Sequence, residues 1–224
     1  MRGLGKRRHQ ENESIIYRAT KDNGDTHNSH YEKRGENERC IDDEIPFDVP
    51  DNWAWTRLGN IGTFIRGSGI KRSDVQVIGV PCVRYGEIYT TYNIVMTAAV
   101  SFVNEELAMQ AKSVVFGDLL LTLTGENKEE IGKTVAFMGN EKTVIGGDLS
   151  IFTYHIQNPM YLSYLLNSPY AIQRKSLLGT GDIIVHISCD KLASILIPLS
   201  PLAEQNRIVA QIEKLLSIVE KFTR

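Results

Sequence analysis

The segment SPLAEQNRIVAQIEKLLSIVEKF, residues 200–222, constrains the fold more than any other part of the chain. Ile208, Ile212, Leu215, Val219 and Phe222 recur at intervals of 4, 3, 4 and 3. That is a helical seam of period 3.5, flanked by Val209 and Leu216. Ser200 suits an N-cap and Pro201 the first helical position, where a missing N–H costs nothing. Glu204, Arg207, Glu213, Lys214, Glu220 and Lys221 fill the other faces. The spacing predicts a helix of about 20 residues, roughly 30 Å long. Such a seam needs cover, either from its own domain or from a second helix, and two heptads do not choose between them.

The rest of the chain divides by composition. Residues 1–44 hold 9 hydrophobic residues, whereas residues 45–224 hold 85 of 180. Residues 1–44 are therefore expected to be a mobile leader or linker, unable to bury enough apolar surface to offset chain entropy. His27 and His30 lie there at a His-x-x-His spacing with no matching Cys or carboxylate pair, so chance proximity is favoured over metal binding. From Ile45 to about residue 156 the sequence predicts short strands near 61–66, 76–84, 94–103, 113–123, 133–139 and 149–156, rich in Val, Ile, Thr and Phe. Trp53 and Trp55 alternate as a strand entering a core would. Asn104, followed by Glu105 and Glu106, marks the start of one short helix. Beyond residue 156 helical spacing takes over. Tyr161 and Leu165 point inward, Ile172 and Lys175 outward, and Ser168-Pro169 restarts the helix. The three cysteines, Cys40, Cys82 and Cys189, are an odd number without a CxxC, which fits reduced thiols and a cytoplasmic setting. No apolar run reaches the roughly 18 residues of a membrane span, and no apolar stretch follows the basic start as in a secretory signal.

The run TGDIIVHISCDKLASILIPLSPLAEQNRIVAQIEKLL resembles the most recognisable stretch of the specificity subunits of type I restriction–modification enzymes. The family pattern I-P-L-P-P-L-x-E-Q-x-R-I-V is met by Ile197-Pro198-Leu199, Pro201-Leu202 and Glu204-Gln205-x-Arg207-Ile208-Val209. Ser200 stands where the family usually has proline. Upstream, IPFDVPDNWAWTRLGNI, VIGVPCVRYGEIY, GDLLLTLTGE and IGGDLSIF are similar to the family's domain opening and glycine-punctuated strands, so the resemblance covers about residues 45–224. It implies an α+β architecture. A mainly β target recognition domain with a few short helices, residues 45–199, would be followed by a coiled-coil-forming spacer helix, residues 200–224. It implies a partnership with double-stranded DNA and with the methylation and restriction subunits of the same system, with no catalytic residue, cofactor or metal in this chain. Such subunits carry two recognition domains, and here one is present. A half-subunit or a fragment is therefore expected, and a homodimer through Ile208, Ile212, Leu215, Val219 and Phe222 is a partnership the seam allows.

The net charge is -2, with 25 Lys+Arg against 27 Asp+Glu. That excludes a uniformly basic coating protein but leaves room for a local patch. Residues 57–84 supply one: Arg57, Arg66, Lys71, Arg72 and Arg84 face a single acid, Asp74. In RGSGIKR the glycines let backbone approach a phosphate, so Arg66, Gly67, Lys71 and Arg72 are expected to contact DNA. Arg84 has the shape to read guanine, and Tyr85 can stack or bond phosphate, with strand packing of Tyr85 and Tyr89 as the competing reading. Thr122, Thr124, Asn127 and Lys128 are expected at a strand-to-loop transition that could read bases. Thr180 and Gly181 are expected in a loop whose amides could hold phosphate. For His186, a satisfied or merely packed histidine is favoured over a base reader.

Two further classes compete with DNA recognition. Asn158-Pro159-Met160-Tyr161 is similar to the Asn-Pro-Pro-Tyr motif of amino-methyltransferases but lacks the second proline, and a helix start is the favoured reading. Glu126, Glu129 and Glu130 could be a nuclease cluster, but a solvated turn is favoured. An autonomous methyltransferase or nuclease, and a degenerate fragment acting only through its helix, remain the alternatives.

Overall fold

The computed structural model describes residues 14–19 and 28–222. In chain order the elements begin with strands β1 (Ile15–Ala19), β2 (Ser29–Arg34), β3 (Asn37–Cys40) and β4 (Ala54–Arg57). Next come helix α1 (Leu58–Ile61), β5 (Thr63–Arg66), β6 (Val80–Val83), α2 (Tyr85–Thr90), β7 (Val95–Met96) and β8 (Ser101–Val103). These are followed by α3 (Glu105–Gln110), β9 (Ser113–Val114), β10 (Leu119–Thr122), β11 (Thr124–Gly125), β12 (Thr134–Phe137), β13 (Thr143–Ile145) and β14 (Leu149–Thr153). The last third holds α4 (Pro159–Leu166), α5 (Pro169–Leu178), β15 (Val185–His186), α6 (Cys189–Ala193), β16 (Leu196–Leu199) and α7 (Leu202–Phe222). The fold is α+β, as the sequence predicts.

Two sheets form the body. One is five-stranded, in the order β5-β14-β10-β12-β7, and the other four-stranded, in the order β8-β6-β13-β9. Pairing is antiparallel except for β12 with β7 and β13 with β6. The uninterrupted apolar run of β10 is explained by burial on both faces. Leu119 and Leu121 pack with Phe152, Leu162 and Leu166, while Leu120 packs on the opposite face with Val135, Phe137 and Ile151. The helix starts follow side-chain capping: Asn104 accepts from Leu107 N, Asn158 from Tyr161 N and Ser168 from Ala171 N. Lys175 corrects the sequence reading. It is 1% exposed rather than outward, its Nζ donating to Gly132 O at 2.6 Å and Leu166 O at 2.7 Å. Burial lowers its pKa to about 7.

The long helix starts one residue later than expected, because the Pro201 carbonyl accepts from Gln205 N. Its first half docks on the domain. Gln205 is fully buried, its Nε2 donating to Gln157 Oε1 and Ser200 O and its Oε1 accepting from Asn158 N. Glu204 accepts from Asn52 Nδ2, and Val209 enters the main core. Beyond Ile212 every described residue is exposed, with Leu215 at 61%, Val219 at 56% and Phe222 at 85%. The seam is thus divided: Ile208 and Ile212 are half-buried by the domain, and Leu215, Val219 and Phe222 are exposed.

The expected leader differs most from the structure. β1, β2 and β3 form an antiparallel sheet, and a 3₁₀ turn at Asp42–Glu44 leads into β4. His27 and residues 1–13 lie outside the described residues. His30 links Arg18 Nε (3.0 Å) and Asp42 Oδ1 (3.2 Å). Low apolar content misleads here because the few apolar residues are well placed, Ile41 lying fully buried against Trp55 and Leu196. The charges also pair inward. Buried Glu32 accepts a fork of two 3.0 Å bonds from Arg57 and further bonds from Arg39 (2.6 Å) and Arg34 (3.1 Å). Glu44 takes a second contact from Arg57 at 2.8 Å. Cys40, Cys82 and Cys189 are all unpaired.

Burial would raise the Glu32 carboxyl, but its hydrogen bonds from Arg57, Ser14 and Arg39 outweigh that and hold it well below the usual carboxylate range. A carboxylate so depressed contributes stability above its unfolded value near 4.5 and loses that contribution as the pH falls. Glu32→Ala, which strips Arg57 of its forked partner, is expected to cost about 3 kcal/mol in urea denaturation at neutral pH. The gap to the parent chain should narrow below pH ~4.5. A loss under about 1 kcal/mol would place the pair among ordinary surface contacts.

Candidate nucleic-acid interface

The strongest concentration of expected binding residues lies where the two sheets meet. β13 passes into β14 through Gly146, Gly147 and Asp148, so this link joins the four-stranded sheet to the five-stranded one. The end of β5 runs against it: Gly67 N donates to Leu149 O at 2.9 Å, and Ser68 N to Ile145 O at 3.2 Å. From the other side Gly146 N donates to Val83 O at 2.8 Å. The approach is too close for side chains, since a Cβ on Gly67 would lie 2.1 Å from Gly146 O. The result is a groove of about 740 Å³ lined by Arg66, Gly67, Lys71, Arg72, Arg84, Tyr85 and the Gly146–Asp148 link.

Six of the eleven expected DNA-binding residues therefore converge on one groove, although they are drawn from segments up to 19 residues apart. Each cation is placed differently. Arg66 Nε donates to Gly147 O at 3.0 Å and runs along the wall. Lys71 and Arg72 sit on a 3₁₀ turn closed by Asp74, which accepts from Lys71 N at 2.7 Å. Neither of their side chains has an ion-pair partner among the described residues, so both charges face solvent. Arg84 is held at the rim by Glu87, which accepts from Arg84 N (3.1 Å) and Nη2 (3.3 Å) and is itself buried against Ser101 Oγ. Arg57, counted with this patch in the sequence, turns away from it into the Glu32–Glu44 pair.

Tyr85 and Tyr89 stand on helix α2 rather than on a strand, with ring centroids 6.4 Å apart and edge to face. Tyr85 is 37% exposed at the groove. Tyr89 is turned inward, its OH meeting Thr122 Oγ1 at 2.7 Å, and burial pushes the phenol up to about 12.

The remaining expected binding residues form a second group beside the groove. Thr122 is fully buried and Thr124 is 8% exposed, so neither forms an open reading loop. Thr124 instead pairs with His186 across β11 and β15, its Oγ1 lying 3.2 Å from Asp148 Oδ1 on the groove wall. Asn127 is engaged at both ends of its amide with Glu130, closing an exposed turn that leaves Lys128 in solvent. Thr180 exchanges backbone hydrogen bonds with His186 at 2.8 and 2.9 Å, and Gly181, at φ +107°, makes the bend that follows. His186 is exposed rather than packed, with its Nδ1 satisfied by Thr124 Oγ1 at 3.1 Å. Sequence reasoning missed Gly146, Gly147, Asp148 and Glu87. The adjacent glycines in IGGDL were the available signal, read there as punctuation rather than as a crossing point.

The methyltransferase-like motif is absorbed by packing. Asn158 caps α4 and donates through Nδ2 to Asn206 Oδ1, while Tyr161 is 4% exposed with its OH on Pro198 O. Glu130 closes the Asn127 turn, as a solvated loop would. Among the described residues no three His, Cys, Asp or Glu side chains are grouped to hold a metal ion. None of the described helices is long and apolar enough to cross a membrane.

Comparison with known proteins gives the same architecture. The chain is similar to the specificity subunit of the type I restriction enzyme EcoAI of Escherichia coli, 23% identical over 197 residues, 80% of this chain. The HsdS subunit of Thermoanaerobacter tengcongensis superposes with a TM-score of 0.57 at 22% identity over 79% of the chain. The fold is that of the type I specificity subunits. The S subunit from M. genitalium agrees, with a TM-score of 0.52 at 13% identity over 79% of the chain. The chain spans 31% of the length of the curated relative and 40–43% of these two solved chains. No protein-family model matches it.

The crossing gives a direct structural test. Gly67→Ala must displace the Gly146 carbonyl and is expected to cost about 1–3 kcal/mol. Gly69→Ala, with nothing within 4 Å of its Cβ, should stay within about 0.5 kcal/mol of the parent chain in the same urea titration. Equal effects would contradict the close approach.

Proposed function

We propose that this chain is a target recognition domain that reads DNA sequence for a type I restriction–modification complex. The observation that carries the proposal is the convergence of Arg66, Lys71, Arg72 and Arg84 on one groove, in a chain whose net charge is slightly negative. Arginine and lysine in a glycine-walled groove suit phosphate, and an arginine oriented by a buried carboxylate suits a base edge. The resemblance to the EcoAI specificity subunit supports the same reading. Within it, Arg66, Lys71 and Arg72 hold the duplex and fix its register, while Arg84 and Tyr85 lie close enough to read it.

Reading one half of a bipartite target, and positioning methylation and restriction subunits, belong to the same proposal. The uncovered half of α7 is the element suited to these roles. Leu215, Val219 and Phe222 project beyond the domain on a helix whose first half is locked in place by Gln205 and Val209. A second copy of the chain can supply the missing seam, and two copies would then present two half-sites.

Two measurements test this. Arg72→Ala and Lys71→Ala should weaken binding across sequences and reduce the slope of log K against log salt by about 0.9 for each phosphate left without its cation, as followed by fluorescence anisotropy. An unchanged slope would mean that these residues do not touch phosphate. Sedimentation equilibrium of the parent chain should show concentration-dependent dimers that Leu215→Asp abolishes. A monomer at every concentration would exclude pairing through this helix.

A further inference from the structure

Beside the groove the geometry fixes the chemistry of one exposed side chain, His186. Its backbone is clamped by the reciprocal hydrogen bonds with Thr180 and by the pairing of β15 with β11. Its ring is held by Thr124, whose Oγ1 lies 3.1 Å from Nδ1. The same hydroxyl lies 3.2 Å from Asp148 Oδ1. A hydroxyl has one proton and a carboxylate only accepts, so the arrangement that makes hydrogen bonds of both contacts gives that proton to Asp148. The contact with His186 must then be carried by the ring's own Nδ1–H. In that Nδ1–H tautomer Nε2 presents a bare lone pair. No partner for Nε2 stands among the described residues, and the ring lies two hydrogen bonds from the groove wall that Asp148 lines.

We infer that His186 is a specificity-determining residue whose Nε2 accepts a hydrogen bond from an exocyclic amino group on a base edge. In the major groove that donor is N6 of adenine or N4 of cytosine. The inference rests on the DNA-recognition reading above. The cations of the groove can only donate, which suits them to phosphates and to guanine, so an amino-bearing edge needs an acceptor, and on the wall Asp148 Oδ1 is already engaged by Thr124. His186 supplies that acceptor. Asp148 and Thr124 act as positioning residues: they orient the ring and set the nitrogen that faces outward. The arrangement explains why a nearly buried threonine and a groove-lining acid stand in a surface otherwise suited to an anion.

The test is selection of preferred duplexes from a randomised pool by the full chain, with the His186→Ala and Thr124→Val variants run in parallel and thermal melts confirming that each is folded. The parent chain should favour adenine or cytosine on one strand at one position. His186→Ala should relax that position about threefold to tenfold, the worth of one neutral hydrogen bond, and leave the others unchanged. Thr124→Val should relax the same position less, and nitrogen-15 NMR of the imidazole should show the Nδ1–H form in the parent and a mixture of tautomers in this variant. A selective parent chain whose preferences survive His186→Ala at every position would overturn the assignment. So would a parent ring carrying its proton on Nε2. A parent chain that selects no sequence would instead overturn the DNA-recognition reading, and the inference with it.

Discussion

The backbone crossing at Gly67 and Gly146 is the constraint on which the rest of the molecule turns. Where the two sheets join here, backbone meets backbone without side chains between: Gly67 bonds Leu149 while Gly146 bonds Val83. Any larger residue at Gly67 would collide with the Gly146 carbonyl. The crossing brings the ends of β5, β6 and β13 to one place, and with them the arginines that follow β5 and β6. A groove rich in cations is thus a consequence of how the sheets join. Its chemistry is then refined by acids: Glu87 holds Arg84, Asp74 closes the Lys71–Arg72 turn, and Asp148 links the groove to Thr124 and His186.

A second, separate set of contacts fixes the helix that leaves the domain. β16 pairs with β4, Leu199 opposite Ala54 and Pro198 opposite Trp55, so the last strand of the chain lies beside β4. Gln205 then ties the start of α7 to Gln157, Asn158 and Ser200, which sets the direction in which the uncovered seam projects. On the other side of β4, Arg57 binds Glu32 and Glu44 and secures the three-stranded sheet. Groove and helix are therefore held by different interactions on one frame, so that a change in the groove need not disturb the helix.

The parts legible in the sequence were those with local signals. The heptad spacing located α7, the caps at Asn104, Asn158 and Ser168 located their helices, and the basic run from Arg66 to Arg84 located the groove-lining cations. What the sequence did not disclose depended on contacts between distant residues. Arg57 looked like one more cation of the patch until Glu32, 25 residues away, claimed it. Lys175 fell on an outward helical position, yet two carbonyls from other turns draw it inside. Residues 1–44 read as too polar to fold, yet 29–44 do fold, because composition counts charges without showing that Glu32 meets three arginines. Thr124, likewise, read as an open loop residue and is instead the hydroxyl between Asp148 and His186.

The central claim, that the groove at the sheet junction is the surface that meets DNA, is tested most directly by hydrogen–deuterium exchange of the chain with and without duplex DNA at low salt. The account predicts slowed exchange in residues 66–72, 84–86 and 146–148, with a smaller effect across 180–186, and no change in residues 29–44. Slowing confined to residues 29–44 or to the uncovered half of α7, with the groove unaffected, would contradict it.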